Sequence, residues 1–395
     1  MIQNMNVNIS HAFYYIASNF TSGDAFISKA KSTLGKITVY DENKQFDDPY
    51  ITDMQTAQKF LKGGGQTYRT HRLFLNSICP NLEKAGMSGF CAMISFFEES
   101  NIVSLSFHYA LKGISSDKLL GIRQSGTNKE YDFRDKKYSF SSLAEEIGKV
   151  LGLPSHVETS FLCEVTKFGD FNSLEKIEEK HSKLLYGLMT GDEGYDFVPE
   201  DMARERLKNS WGSRDFMRIY ASRKAFLFIN LLNTPRQTEY LARQTQFGTD
   251  TYGGVNPFFY MGECPLTVNH GILFSVEFAM LLRALINEVL AFQTEHKKKK
   301  FISYYKRIKE TRELRRKIIK VLEKVEQTQI AEIGELSNVL LASQHIMSTV
   351  EEVKYLLELL EGDLSLTYSE HNNFLVTALT VLGILLAVWQ VILAF

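Results

Sequence analysis

The sequence has few cysteines, few prolines and no excess of charge of either sign. Four cysteines among 395 residues, none in a Cys-x-x-Cys pair, exclude a disulfide framework and indicate an intracellular protein. The 45 Lys and Arg residues nearly balance the 46 Asp and Glu residues, so the net charge of −1 provides no overall field that would attract nucleic acid. A nucleic-acid partner is therefore not expected.

The sequence also lacks a recognisable catalytic or metal-binding motif. Its 9 histidines include no His-Glu-x-x-His pattern, and His108, Cys79 and Cys91 are expected to be ordinary packing residues. Gly63–Gly65 either cradles a phosphate or forms a flexible loop, and residues 247–262 either line a ligand pocket or form simple turns. We therefore expect no cofactor and no metal, and we predict that the protein is not an enzyme.

The strongest signal is a long uncharged segment, residues 374–395. At ~1.5 Å per residue this segment forms a helix of about 33 Å, enough to cross a hydrocarbon core of ~30 Å. It predicts one carboxyl-terminal transmembrane helix. Residues 1–20 lack the basic and continuous apolar regions of a signal peptide, so we expect a single-pass membrane protein with its N-terminal bulk in the cytoplasm.

Small and polar residues of this segment fall on one helical stripe, because their spacings alternate between 3 and 4 residues. Two interpretations stay open. The stripe is a chance feature of a lipid-facing helix, or it is the contact of a homo-oligomer, with a water-lined pore as its strongest version. The stripe consists of Asn373, Thr377, Thr380, Gly383, Ala387, Gln390 and Ala394.

The preceding residues, 271–362, are predicted to be mostly helical. Residues 272–293 are apolar but contain three charged side chains, which favours a buried packing helix over a second membrane span. Heptad-like seams before and after Gly334 predict an antiparallel coiled-coil hairpin that reverses at this glycine. The hairpin either packs on its own domain or forms a stalk that also assembles between subunits.

A basic run, Lys297, Lys298, Lys299 and Lys300, lies in the first of these two helices. If the hairpin reverses at Gly334, the about 39 residues from Gly334 to Asn373 can be counted back along the first helix. The count ends near the four lysines, which predicts that they lie at the membrane surface beside anionic lipid. The alternatives are a solvated basic face and a nucleic-acid patch.

A long helix, a reversal, a heptad helix and a polar junction lead into the apolar segment as SEHNNFLVTALTVLGILLAV, residues 369–388. This arrangement, with its junction at Asn372–Thr380, resembles the stalk and first membrane helix of CorA-type divalent-cation transporters. The resemblance covers about the last 120 residues and implies a membrane-anchored stalk. The Gly-Met-Asn signature and the second membrane helix of that family have no counterpart in this sequence, so no ion-selectivity residue carries over.

The first 270 residues alternate between strand-like and helix-like segments. Their order indicates a ferredoxin-like unit followed by a second α+β unit with a helix and two strands. The strands of the first unit are predicted at 36–40, 90–97, 102–110 and 158–167, its helices at 53–62 and 141–152, and the second unit at 172–190, 216–221 and 225–232.

The predicted fold class is therefore an α+β cytosolic domain, a long coiled-coil hairpin and one C-terminal transmembrane helix. The predicted domains are 1–170, 171–270, 271–362 and 374–395. The leading hypothesis is a membrane-anchored homo-oligomer that senses a small ligand or a protein and whose spans form a pore or perturb the membrane, as in an ion channel or a bacterial antiviral defence effector. The alternatives are a tail-anchored scaffold that recruits a protein partner and a membrane-tethered enzyme.

Overall fold

The computed structural model describes residues 1–41, 69–75, 78–80, 87–125, 131–247, 269–298, 331–343 and 372–384 except 375. It also describes single residues and short stretches between 43 and 58 and between 309 and 369.

A nine-stranded mixed sheet organises the described part of the chain, and a three-stranded antiparallel sheet, β4-β7-β8, lies apart from it. The strand order of the large sheet is β10-β11-β12-β9-β1-β6-β5-β3-β2. The strands are β1 (Met5–Ile16), β2 (Ile37–Val39), β3 (Thr70–Leu75), β4 (Cys79–Pro80), β5 (Met87–Phe97), β6 (Ile102–Ile114), β7 (Tyr131–Phe133), β8 (Lys136–Tyr138), β9 (Glu158–Lys167), β10 (Ser210–Arg214), β11 (Met217–Ala221) and β12 (Ala225–Asn230).

Helices cover both faces of the large sheet and give the protein two apolar cores, one on each face. The first core includes α1 to α4, and the second includes α7 and α8. The helices are α1 (Gly23–Leu34), α2 (Ser116–Ser125), α3 (Phe140–Leu151), α4 (Leu174–Thr190), α5 (Glu200–Leu207), α6 (Pro235–Phe247), α7 (His270–Lys298), α8 (Ala331–Ser343) and α9 (Asn372–Ile384).

Local sequence signals explain where α3 begins and ends. The Ser139 hydroxyl accepts a hydrogen bond from the backbone N–H of Ser142, which caps the first turn. The helix ends at Gly152, whose φ of 74° lies in the left-handed region that glycine adopts without a steric cost. The buried residues of α3 recur at helical spacing and face the first core.

One pair of neighbours in the large sheet, β9 and β12, is parallel, and the other pairs are antiparallel. Residues 168–224 connect β9 to β12 through α4, α5, β10 and β11. Because parallel neighbours end at the same edge of a sheet, the carboxyl ends of β9 and β12 lie side by side. This edge carries the cleft described below.

The predicted ferredoxin-like unit is wrong. The predicted strands at 90–97, 102–110 and 158–167 correspond to β5, β6 and β9, but they belong to one nine-stranded mixed sheet with strands from both halves of the first 270 residues. The sequence prediction missed β1, the central strand between β6 and β9. A strand that is covered on both faces usually appears in the sequence as a continuous apolar run. The polar residues Asn8, Ser10 and His11 interrupt this run in β1, so the strand was not recognised.

The predicted coiled-coil hairpin is also wrong. Gly334, the expected reversal, lies inside α8. Leu336, Leu340 and Leu341 of α8 are buried in the second core, where they pack with α7 and with the strands at the β10 edge. The apolar face of α8 would also suit a coiled coil, but in this protein it covers the sheet.

The predicted C-terminal transmembrane helix is contradicted as well. In the described part of the chain, the helix that is long and apolar enough to cross a membrane is His270–Glu288, in the middle of the sequence. It has a mean hydropathy of 1.3, and 89% of its most apolar 18 residues are buried inside the protein. At the C-terminal side, α9 is described over Asn372–Ile384, which is shorter than the ~20 residues of a spanning helix. Residues 385–395 lie outside the described residues.

Candidate functional site

A cleft of about 500 Å³ opens where β9 and β12 end. Its walls come from the start of β1, the ends of β6 and β9, the turn after β9 and the Leu232–Thr234 segment after β12. Open sheets with parallel strands commonly bind ligands outside the carboxyl ends of these strands. The volume of the cleft also falls within the ~300–1,000 Å³ of small-molecule pockets.

A β-bulge at the start of β1 shapes one wall of the cleft. The register shifts beside Asn6 against both neighbouring strands, β6 and β9. The Oδ1 atom of Asn6 accepts a hydrogen bond of 3.0 Å from the backbone N–H of Gly113, and the Asn6 carbonyl accepts one of 3.3 Å from the Thr166 hydroxyl. These bonds fix the bulge, which is a feature that often redirects a side chain beside a binding site.

A buried carboxyl group, Glu164, lies behind the wall of the cleft. Its two oxygens accept hydrogen bonds from the Asn230 amide at 2.7 Å, the Asn269 backbone N–H at 2.9 Å and the Asn8 amide at 3.4 Å. Burial raises the pKa of Glu164 above its ordinary value, and these hydrogen bonds oppose the rise. Glu164 thereby connects Asn8, which lines the cleft, to the residue that precedes α7.

Two buried ion pairs hold α7 against the sheet. Glu277 accepts two hydrogen bonds from Arg72 of β3, at 3.1 and 2.8 Å, and Arg283 donates one of 2.6 Å to Glu158 of β9. All four side chains are at least nine-tenths buried. The expectation that residues 272–293 form a buried packing helix is confirmed as far as Ile286, and the ion pairs explain how an apolar helix accommodates its charges.

These ion pairs stand at the two ends of one polar row across the sheet. Arg72, Ser95, Ser104, Tyr14 and Glu158 are successive register partners on β3, β5, β6, β1 and β9. Arg72 donates a hydrogen bond of 2.7 Å to the Ser95 hydroxyl. Because α7 bonds a cation at one end of the row and a carboxylate at the other, its direction across the sheet is specified.

The pairing of Glu158 predicts how stability depends on pH. Burial alone would raise the pKa of Glu158, but hydrogen bonds from Lys224 and Arg283 and from the Thr159 backbone N–H lower it below 4.5. A carboxyl group with a lowered pKa contributes stability that is present above its unfolded pKa and is lost as the pH falls through the folded one. Urea unfolding should therefore show Glu158→Gln to be less stable by about 1–3 kcal/mol at pH 7, and the difference should shrink below pH 4.5. A difference that is constant with pH would contradict this account.

A second candidate feature is α9, whose apolar side chains face solvent. Phe374 and Leu379 are each 69% exposed, and Ile384 is 59% exposed. The predicted stripe lies partly on this helix, since Asn373, Thr377, Thr380 and Gly383 are all exposed helical residues. Its remaining members, Ala387, Gln390 and Ala394, lie outside the described residues. The role of the stripe stays a prediction.

The structure removes the argument that placed the basic run Lys297–Lys300 at a membrane surface. Lys297 and Lys298 are the last two residues of α7, and Lys299 and Lys300 lie outside the described residues. The count along the two helices began at a reversal at Gly334, which the structure places inside α8. A membrane-surface role for the four lysines stays a prediction without that support.

The other residues singled out in the sequence form no second site in the described part of the chain. His108 is buried, its Nε2 lies 2.8 Å from the Ser106 hydroxyl, and burial with a smaller contribution from His270 lowers its pKa to about 3. Among the described residues, no group of three or more metal-ligating side chains occurs. Gly63–Gly65 and 248–262 lie outside the described residues.

Sequence reasoning missed the cleft because its residues come from four separate segments. Lys112 lies two residues before the end of β6 and Lys167 is the last residue of β9, and each follows a run of buried residues as an ordinary polar residue would. Only the pairing of both strands with β1 brings these positions to one edge. The available signal, a lysine directly after an apolar run, is too common to mark a site.

Comparison with known proteins assigns the chain to no family. No family model matches the sequence, and neither a curated protein nor a solved structure matches it. The resemblance to CorA-type transporters therefore stays a prediction.

Proposed function

We propose that this chain is a membrane-attached homo-oligomer. Its sheet domain, which we define as the described residues from β1 to α8, lies in the cytoplasm. The sheet domain senses a ligand or a protein, and the apolar segment that includes α9 perturbs the bilayer or forms a pore in it. The observation that carries the proposal is the continuous exposed apolar surface of α9. Six of its large apolar side chains are more than half exposed, whereas the sheet domain buries nearly all of its own. Contiguous surfaces of this kind mark contact with a membrane or a partner.

The driving force for insertion follows from these exposed side chains. Burying a Val-, Leu- or Phe-sized side chain stabilises the buried state by ~1.5–3 kcal/mol. Six such side chains therefore provide on the order of 10 kcal/mol, which is comparable to the stability of a whole domain. Water is an unfavourable environment for α9, and a lipid or protein environment is favoured.

The polar groups of α9 favour lipid over a polar protein surface. The Thr377 hydroxyl donates a hydrogen bond of 2.7 Å to the Asn373 carbonyl, and the Thr380 hydroxyl donates one of 2.8 Å to the Val376 carbonyl. Hydroxyl groups bonded within their own helix need no water, which is the condition for a polar side chain in hydrocarbon. Residues 374–395 also contain no charged side chain.

Vesicle flotation tests membrane attachment. The full chain and a variant that ends at Asn373 are mixed with neutral and with anionic vesicles and washed at high salt. The full chain should float with both kinds of vesicle and the shortened chain should stay in the soluble fraction, since the removed residues include the exposed apolar side chains of α9 and contain no charged side chain. Flotation of the shortened chain would contradict the proposal.

Two further measurements test the other parts of the proposal. Cross-linking of the full chain in detergent should give a ladder of oligomers, and a strict monomer would exclude a homo-oligomeric pore. Vesicles loaded with a dye should release it when the full chain inserts. Attachment without release at any protein concentration would favour the tail-anchored scaffold over the membrane-perturbing protein.

A further inference from the structure

We infer that the cleft at the ends of β9 and β12 binds a small anion that carries at least two negative charges, through Lys112 and Lys167. This inference deepens the sensing part of the proposed function and rests on it. It concerns the sheet domain alone, so it can fail or hold independently of membrane attachment.

The charged residues that line the cleft favour an anion. Lys112 near the end of β6 and Lys167 at the end of β9 contribute two positive charges, and Asp170 in the turn after β9 contributes one negative charge. The lining therefore carries one positive charge more than negative, in a concave space that concentrates the field. An anion is attracted by both lysines, whereas a cation is attracted by Asp170 alone.

Two helix starts add to the positive potential of the cleft. Helix α4 begins at Leu174, just after Asn172 of the lining, and its N-cap Ser173 makes no side-chain capping bond. Helix α6 begins at Pro235, directly after Thr234 of the lining, and the Thr234 hydroxyl accepts a hydrogen bond of 3.3 Å from the Gln237 backbone N–H, so this start contributes through its dipole and not through that donor. The amino-terminal end of a helix carries about half a positive charge. The helix dipoles thus add to the positive potential that the two lysines create, and the lysines are the larger contribution.

Neutral donors complete the site. The Asn6 side chain uses its Oδ1 atom to accept from Gly113, so the group that it can offer to a ligand is its amide N–H. Asn172 and Asn233 are exposed at the rim and add further amides. Phosphate and carboxylate oxygens accept hydrogen bonds and carry negative charge, and both chemistries fit this set. The volume of about 500 Å³ exceeds what a single inorganic ion fills and suits a small metabolite.

Calorimetric titration of the full chain in detergent tests the inference, with pyrophosphate and citrate as probes and chloride at matched ionic strength as the reference. We expect pyrophosphate, citrate or both to bind. The double variant Lys112→Gln/Lys167→Gln should bind at least about ten-fold more weakly, because two charge-assisted contacts are lost. Asp170→Asn should bind more tightly, by about two- to five-fold, because it removes the opposing charge.

The matched control is Lys36→Gln/Lys149→Gln, which removes two exposed lysines outside the cleft and should leave binding unchanged. The unfolding midpoint of the Lys112→Gln/Lys167→Gln variant should equal that of the wild type, so that weaker binding reports the site. Absence of binding of both probes above the chloride reference would overturn the inference, as would equal binding by the wild type and the cleft double variant. Vesicle flotation of the same variants should be normal, which separates this failure from failure of membrane attachment.

Discussion

Replacing Glu277 by alanine should lower the free energy of unfolding by about 3–5 kcal/mol, because the substitution leaves the Arg72 guanidinium buried without its carboxylate. The two side chains are 4% and 3% exposed, and two hydrogen bonds join them. Arg72 also lies over the Phe274 ring, with its guanidinium carbon 4.3 Å from the ring centroid, which leaves it little room to reach water. The loss is therefore larger than that of an ordinary surface contact.

Glu200→Ala, which removes the carboxylate of an exposed ion pair, is the matched control. Glu200 and Arg204 of α5 are about half exposed, and solvent screens their charges, so their pair is expected to contribute little to the free energy of unfolding. Urea unfolding of the full chain in mild detergent, followed by circular dichroism, should separate Glu277→Ala from Glu200→Ala several-fold. Equal losses for the two variants would show that the Arg72–Glu277 pair does not hold α7.

A double substitution distinguishes the ion pair from the packing of the helix. Arg72→Met together with Glu277→Leu removes both charges and keeps side chains of similar volume. It should cost less than Glu277→Ala alone, because no buried charge then lacks a partner. A larger loss in the double variant would mean that side-chain packing, and not the uncompensated charge, dominates the energy of this interface.

The charges of α7 show how far the sequence determines the fold. Three charged residues in a long apolar run correctly predicted a buried helix, because a lipid-facing helix would expose them. The sequence could not identify their partners, since Arg72 precedes Glu277 by 205 positions and the contact exists only once the sheet has formed. The local sequence pattern thus indicated that α7 is buried, and the sheet topology determined which residues pair with its charged side chains.

The helical region after α7 shows the opposite outcome. The apolar spacing around Leu336 and Leu340 is compatible with a coiled-coil seam and also with a helix that covers a sheet. In the structure this helix contacts β10 and β11, and Leu336 and Leu340 belong to the same apolar core as Trp211 and Ile219 of these strands. Periodicity determines which face of a helix is apolar, but it does not determine what covers that face. The fold class predicted from this pattern was wrong for that reason.

The cleft could not be predicted from the sequence, whereas the apolar character of α9 could. Lys112 and Lys167 lie at the same edge of the sheet because β6 and β9 both pair with β1. The polar residues of β1 prevented its recognition as a strand. The apolar character of α9 belongs to a single segment and is visible in composition alone. Features that depend on one segment are readable from sequence, and features that depend on pairing are not.

Replacing Ile384 by arginine should strongly reduce membrane attachment of the full chain. Ile384 lies near the middle of residues 374–395 and is 59% exposed. An arginine near the centre of an inserting apolar segment costs about 2.5–3.5 kcal/mol, which corresponds to roughly a 100-fold shift toward the soluble state. The fraction of protein that floats with vesicles after a high-salt wash measures the shift.

Phe197→Arg is the matched control for this prediction, because it places the same charge at an exposed apolar residue of the sheet domain. Phe197 is 93% exposed in the short helical turn Tyr195–Phe197, so its replacement should alter neither the fold nor flotation. If Ile384→Arg floats as well as the wild type does, residues 374–395 do not carry the protein into the bilayer. If both variants lose flotation equally, attachment depends on the apolar surface of the sheet domain and the proposed role of α9 is wrong.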